Sequence, residues 1–321
     1  MACQAAQNYS LDSYGAFPSY RTNPFCYACA MRFEKSWGPK FRGDGIYRAS
    51  EMEYWFSWQA IYRLVLYNPT DGTTTVSGVS LFAGAFQAPL DPDEGLIRTS
   101  AAGELEDRIA KPSVIEPFRD MDKQRNLVGF PLHVTCWRLL KKSKMGRYIE
   151  TDLNLILDAI RHRSRDTGVG GWAYGFLTAT PGRERHDPGD SNQILGLIHK
   201  SRQEREKQIT VEENKRPQEP RDCLFSRLPL EIQHKIMDDL EGRDVLELQK
   251  ALDWQLDESY WRQKIRKTLY FEIPEVIDQS LDWQYLYFQL ESLANTDTMI
   301  IRKHILDSLS SLQEYFFRRL R

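Results

Sequence analysis

The run "SRQEREKQITVEENKRPQEPRD", residues 201–222, constrains this chain more than any other stretch. It carries almost no apolar side chains and interleaves both signs of charge. A segment of that composition cannot bury enough surface to offset the entropy lost on ordering, so it is expected to be a charged linker. Its Glu, Lys, Gln and Arg residues allow it a helical start. The chain therefore divides into residues 1–200 and residues from 223 onward. A length of 321 residues suits two or three packed units.

The part before the run mixes strand and helix. "AIYRLVLYN" and "TTTVSGVSLF" are rich in β-branched and aromatic residues, and "NPTDG" between them is turn chemistry. Ala60 to Phe82 thus reads as two strands joined by a loop. Asp91 to Arg125 reads as loop. A helix is expected from Pro131 in "PLHVTCWRLLKKSK". Another follows Thr151 as cap, with Leu153, Ile156, Leu157 and Ile160 on one apolar face. Residues 164–192 are glycine-rich and are expected to form a flexible loop. They lack the Gly-Lys-Ser/Thr ending and the strand-to-helix context of a phosphate cradle.

Charge and hydropathy narrow the function. The formal net charge of -2 leaves no basic footprint for nucleic acid. No apolar run reaches membrane-spanning length, and "MACQAAQNYSLDSYGAF" has no positive start or apolar core of a secretory leader. A cytoplasmic or nuclear location is expected. Five cysteines are too few and too uneven for a disulfide scaffold, so clustered ones suggest metal. Cys26-x-x-Cys29 is one cluster, and His133-x-x-Cys136 is its counterpart about a hundred residues on. A knuckle can supply two thiolates, and helix positions three apart share a face. Three thiolates and an imidazole are a common tetrahedral set for structural zinc. Cys3 and Cys223 have no such partner.

After the run the chain reads as helix to its end. In "SRLPLEIQHKIMDDL", Leu228, Ile232, Ile236 and Leu240 recur every four residues, with Met237 alongside. Ser226 is the expected cap, and Glu231 lies in the first turn. A second helix restarts at Asp244 in "DVLELQKAL", and "WQLDESYWRQKI" gives a third with Trp254, Leu256, Tyr260, Trp261 and Ile265. Three helices in ~40 residues cannot hide that many large apolar groups among themselves. Either the chain beyond them or a second protein covers the surface.

The order Leu-Pro-x-Glu-Ile, Ile four residues later, Leu, an Asp-Val-Leu restart and a Tyr-Trp-Arg close resembles the F-box, from about Leu224 to Ile265. Fungal proteins of this family often also carry Cys-x-x-Cys-Gly near the start, later Pro-x-His-x-x-Cys-Trp, and an Asp-Trp-x-x-Leu-Tyr helix after the box. Pro131 to Trp137 matches the second of these. Ala30 stands where the first has glycine, and "QKALDW" replaces the usual Ser-Arg or Cys-Arg step in the box. The resemblance implies a trihelical module that docks on the Skp adaptor and through it a cullin. Leu228, Pro229, Ile232, Ile236, Leu240 and Leu246 would meet the adaptor, and Trp261 would anchor the third helix.

The expected fold is therefore α+β. A mixed helix/strand domain over residues 1–200 precedes the linker at 201–222, with Cys26, Cys29, His133 and Cys136 either stapling it through a structural zinc or standing in its core as buried thiols and a hydrogen-bonded imidazole. An all-helical F-box unit covers 223–268, and a helical extension over 269–321 braces it with the stripe Ile301, Ile305, Leu309, Leu312, Phe316 and Leu320. Trp37, Tyr54, Trp55, Phe56 and Trp58 are candidate readers of a protein substrate. No catalytic motif is present. The expected function is substrate recruitment to a Skp–cullin–F-box ubiquitin ligase. The alternatives are an interaction protein with a degenerate F-box and a zinc-dependent nuclease-like enzyme.

Overall fold

Strand β1 (Ile61–Tyr67) is the hub of a small antiparallel sheet, and its five central residues are all buried. A computed structural model of the chain describes residues 25–33, 58–82, 88, 90–93, 121–122, 127–167, 187–214, 225, 227–252 and 256–319, to which all that follows refers. The residues form two units, one made of 1–189 with 301–321, the other of 190–300.

In the first unit β1 pairs with β2 (Thr74–Val76), β3 (Ser80–Leu81) and β5 (Leu127–His133), and β5 also pairs with the two-residue β4 (Met121–Asp122). The β1–β2 turn comes from the expected residues. Asn68 and Asp71 carboxamide and carboxylate oxygens accept the Thr70 and Thr73 amides, and Gly72 takes φ +74°, where a side chain is strained. The expected second strand over "TTTVSGVSLF" is broken in two. Ser77 turns inward, accepts the Leu64 amide on its hydroxyl at 2.8 Å and donates to the Gly78 carbonyl.

Pro131 lies in β5 opposite Leu64, not at a helix start as its sequence context suggests. Its carbonyl accepts the Tyr27 amide at 2.9 Å, so its backbone polar edge faces away from β1. The N–H that proline lacks would point the same way, and the β1 ladder therefore loses nothing. Helix α1 (Val134–Lys142) begins three residues later with His133 at its N-cap. Short α2 (Gly146–Ile149) follows so closely that a Cβ on Gly146 would lie 1.8 Å from the Lys141 carbonyl oxygen. Helix α3 (Leu153–Thr167) is capped by Asp152, whose carboxylate accepts the Asn154 amide at 3.1 Å, rather than by Thr151. The Thr151 hydroxyl instead bonds back to the Arg147 carbonyl. Ile156, Leu157 and Ile160 are buried on the expected face. Within residues 164–192 the helix persists to Thr167 and a turn at 187–191 precedes the next helix, so only 168–186 of the expected loop lie outside the described residues.

In the second unit α4 (Asn192–Asn214) runs through the first part of the charged stretch that was expected to be linker. Its helix-favouring residues find polar partners instead of solvent alone. Ser201 exchanges hydrogen bonds with the backbone of Asp282, Gln208 donates to the Asp282 carboxylate at 2.6 Å, and Arg205 pairs with Glu258 at 3.1 Å. Three short helices then stand where the pattern placed them: α5 (Leu230–Asp238), α6 (Gly242–Leu252) and α7 (Glu258–Lys264). Helix α8 (Trp283–Ala294) packs on both α4 and α7. Ser226, the expected cap of α5, is outside the described residues, and Pro229 occupies the N-cap.

The last helix, α9 (Asp297–Arg319), corrects the expected extension. From Ile301 onward it belongs to the first unit, where Ile301, Ile305, Leu309, Leu312 and Phe316 are buried. Phe316 meets Tyr148 at 4.9 Å between ring centroids. The stripe is core of the first unit, as its period requires. No helix among the described residues is long and apolar enough to cross a membrane.

Candidate functional site

Cys26, Cys29, His133 and Cys136 come together although a hundred residues separate the pairs. Residues 25–33 form a knuckle closed by a Phe25–Arg32 bridge and by the Cys26 amide donating to the Met31 carbonyl at 2.9 Å. The Ala30 amide turns back to the Cys26 carbonyl at 2.8 Å. That reversal sets Ala30 at φ 60°, the left-handed conformation for which glycine is the usual residue. The alanine adopts it nonetheless. The knuckle sits on the outer edge of β5, where the Tyr27 amide meets Pro131 and the His133 amide donates to the Cys26 sulfur at 3.3 Å. His133 ends β5 and Cys136 lies in the first turn of α1, so one strand-to-helix junction presents both remaining ligands.

All four side chains are buried, and their ligand atoms lie within 4.8 Å of one another. His133 Nδ1 is 3.4 Å from the Cys29 sulfur and 3.8 Å from the Cys136 sulfur. Ligands of one tetrahedral zinc, with bonds of ~2.0–2.3 Å, stand ~3.3–3.8 Å apart. The three thiols are free, and no disulfide consumes them. His133 Nε2 is buried without a hydrogen-bond partner among the described residues. Its ring is walled by Phe33 at 4.2 Å and Trp58 at 5.0 Å. With the proton on Nε2, the Nδ1 lone pair points at the sulfurs, the form a metal ligand needs.

Electrostatics single out one thiol. Burial alone would push Cys26 up, but the neighbouring Cys136 and Cys29 thiols and the His133 ring outweigh it and hold Cys26 well below the usual thiol range. Burial pushes Cys29 and Cys136 well up, reinforced by the charge on Cys26. Cys136 is raised although it lies in the first turn of α1. A divalent cation at the centre would favour the thiolate form of all three sulfurs.

Two residues that periodicity and spacing did not mark complete the surroundings. Arg163 of α3 donates to the carbonyls of Tyr27 and Ala28 in the knuckle, the latter at 2.8 Å, and to the Ser308 carbonyl of α9 at 2.8 Å. His304 of α9 meets the Cys29 carbonyl through Nε2 at 3.1 Å, and burial lowers its pKa. In sequence both look like charged positions on solvated helix faces. Trp58 is 4% exposed and packs on His133, so it serves this core rather than reading a substrate. Trp37, Tyr54, Trp55 and Phe56 lie outside the described residues.

The second candidate is the outer face of α5. Leu228, Ile232, Ile236 and Leu240 are 37–46% exposed together with Leu230, and Pro229 is exposed as well. The helix instead buries Gln233 and Met237. Gln233 satisfies its amide on the Leu228 carbonyl at 2.8 Å, which lets a polar residue stand on the inner face. Leu246 of α6 is half-buried, while Val245 and Gln249 take the inner positions there. Trp261 is not available to a partner. It is 2% exposed and lies against Tyr287 and Phe288 of α8 at 5.2 and 5.3 Å, holding α7 within its own chain. Lys264 pairs with Asp238 at 2.6 Å and ties α7 to α5.

Compared with known protein families, curated proteins and solved structures, the chain matches none.

Proposed function

We propose that the chain is a substrate-recruiting subunit of a Skp–cullin–F-box ubiquitin ligase, working in the cytoplasm or nucleus. The observation that carries this reading is the inversion of α5. Its four-residue stripe Leu228, Ile232, Ile236 and Leu240 faces out while Gln233 and Met237 face in. Isolated exposed leucines are ordinary, but a row running from Leu228 before α5, through Ile232 and Ile236 on it, to Leu240 just after it marks a contact surface. Covering what remains exposed of those four side chains would gain roughly 3–4 kcal/mol. Association costs at least ~4 kcal/mol, so the row anchors a complex only with further contacts, for which Pro229 and Leu246 are placed.

In this reading the chain does no chemistry itself. It raises the local concentration of a bound protein's lysines near charged ubiquitin. Cys26, Cys29, His133 and Cys136 hold a structural zinc that staples the knuckle to the β5–α1 junction, since four protein ligands complete its shell. The test is co-purification with the Skp adaptor, comparing wild type with Leu228→Ala/Pro229→Ala. Recovery of the adaptor with wild type and its loss from the variant support the reading. Equal recovery from both defeats the docking face, and recovery from neither leaves a degenerate box.

A further inference from the structure

Arg163, a buried charged side chain of the first unit, binds two separate segments at once. Its guanidinium reaches the Tyr27 and Ala28 carbonyls, which lie between the two knuckle cysteines, and the Ser308 carbonyl on α9. It is 4% exposed. Burial works against its charge, and the Cys26, Cys29 and Cys136 sulfurs, with Tyr315, favour it.

Resting on the metal reading above, we infer that Arg163 is the positioning and charge-compensating residue of the metal centre, and that it makes docking of α9 residues 301–319 conditional on metal occupancy. Three thiolates and a neutral imidazole around a divalent cation leave one net negative charge. A fixed guanidinium offsets that charge and orients the knuckle carbonyls through a planar fork that lysine cannot reproduce. Without the metal, nothing pins Cys26 and Cys29, and the Tyr27, Ala28 and Cys29 carbonyls between and beside them are no longer fixed for Arg163 and His304. The bond to Ser308 and that of His304 to the Cys29 carbonyl then hold α9 less firmly. Coupling of this kind is reciprocal: whatever factor metal adds to helix docking, helix docking adds to metal affinity.

The test uses the full chain, loaded with cobalt(II) as a spectroscopic stand-in and titrated with zinc against a chromogenic chelator. Arg163→Met is expected to weaken metal ~100-fold and Arg163→Lys ~10-fold, the range typical of outer-shell partners. Both are expected to keep the thiolate-to-cobalt charge-transfer band at saturating metal. Ile160→Ala, a packing loss on the same helix, is expected to change affinity less than about threefold. Hydrogen exchange across residues 301–319 should accelerate ~10-fold or more when wild type is chelated. Arg163→Met with wild-type affinity, an equal loss in Ile160→Ala, or exchange in 301–319 unaffected by chelation would each overturn the inference while leaving the metal site intact. Wild-type chain that takes up neither cobalt nor zinc would overturn both.

Discussion

Ile236 and Met237 are neighbours in sequence with opposite surroundings: Ile236 is 40% exposed, and Met237 is 0% exposed. The inner face of α5 is carried by Met237 and Gln233, and its outer face by the aliphatic row. Substitutions on the two faces should therefore separate cleanly. Met237→Ala is expected to cost ~2–5 kcal/mol by leaving a cavity. Ile236→Ser should cost less, ~1–2 kcal/mol, since the side chain is only partly buried and the two residues have similar helix propensity. Urea unfolding of both variants, read by helical circular dichroism, checks the contrast.

Removing the metal should cost the first unit much of its stability, felt first at the knuckle it holds. A structural zinc contributes ~10–16 kcal/mol in small peptides, as much as the whole stability of an ordinary domain at ~5–15 kcal/mol. Elemental analysis should find one zinc per chain. Cys29→Ser, or treatment with chelator, is expected to remove it and collapse the near-ultraviolet signal of the aromatic groups around His133. Purified chain without zinc would refute this.

Ala30 carries a measurable strain. A non-glycine residue at φ 60° costs ~1–2 kcal/mol in the left-handed region. Ala30→Gly should relieve that cost, less the extra freedom glycine gives the unfolded chain, for a net gain of ~0.5–1 kcal/mol. Thermal unfolding of the metal-loaded protein measures it. A loss of stability would mean the knuckle depends on the methyl group.

Asp257 should make the second unit sensitive to acid. It caps α7, accepting the Ser259 amide at 2.7 Å. The Ser259 side chain and amide hold its carboxyl below the usual range. Because the folded pKa lies below the unfolded one, the stabilisation is present above the ordinary carboxylate pKa of ~3.9 and is lost as pH falls through the folded value. Asp257→Ala should cost ~0.5–2 kcal/mol at neutral pH, toward the lower end for so exposed a cap. The gap between variant and wild type should narrow below about pH 4 in urea titrations.

The parts of this molecule that were legible in the sequence are those set by local pattern. The four-residue recurrence from Leu228 to Leu240 placed α5, and the spacing of Cys26, Cys29, His133 and Cys136 named a cluster the fold assembles. What stayed hidden depends on partners distant in the chain. Periodicity drew the stripe with Met237 beside it, yet only the packed unit shows that Met237 and Gln233 point inward. Pro131 reads as a helix start until β1 and the knuckle show which way its backbone faces. The stretch from Ser201 reads as linker because composition cannot reveal that Asp282 and Glu258 wait for it. Arg163 carries no local signal at all, since its role lies in carbonyls about 135 residues away.

The account is tested most directly by titrating purified Skp adaptor into the full chain by calorimetry, with wild type beside Ile232→Ser/Ile236→Ser. Wild type is expected to bind one adaptor per chain, and the variant, still folded with its helical signal and α5 core intact, to bind at least ~10-fold more weakly, since two of the four aliphatic groups account for about half of the ~3–4 kcal/mol the row supplies. Wild-type chain that does not bind the adaptor, or a variant that binds it equally well, would contradict the claim that the outward face of α5 is a docking surface for it.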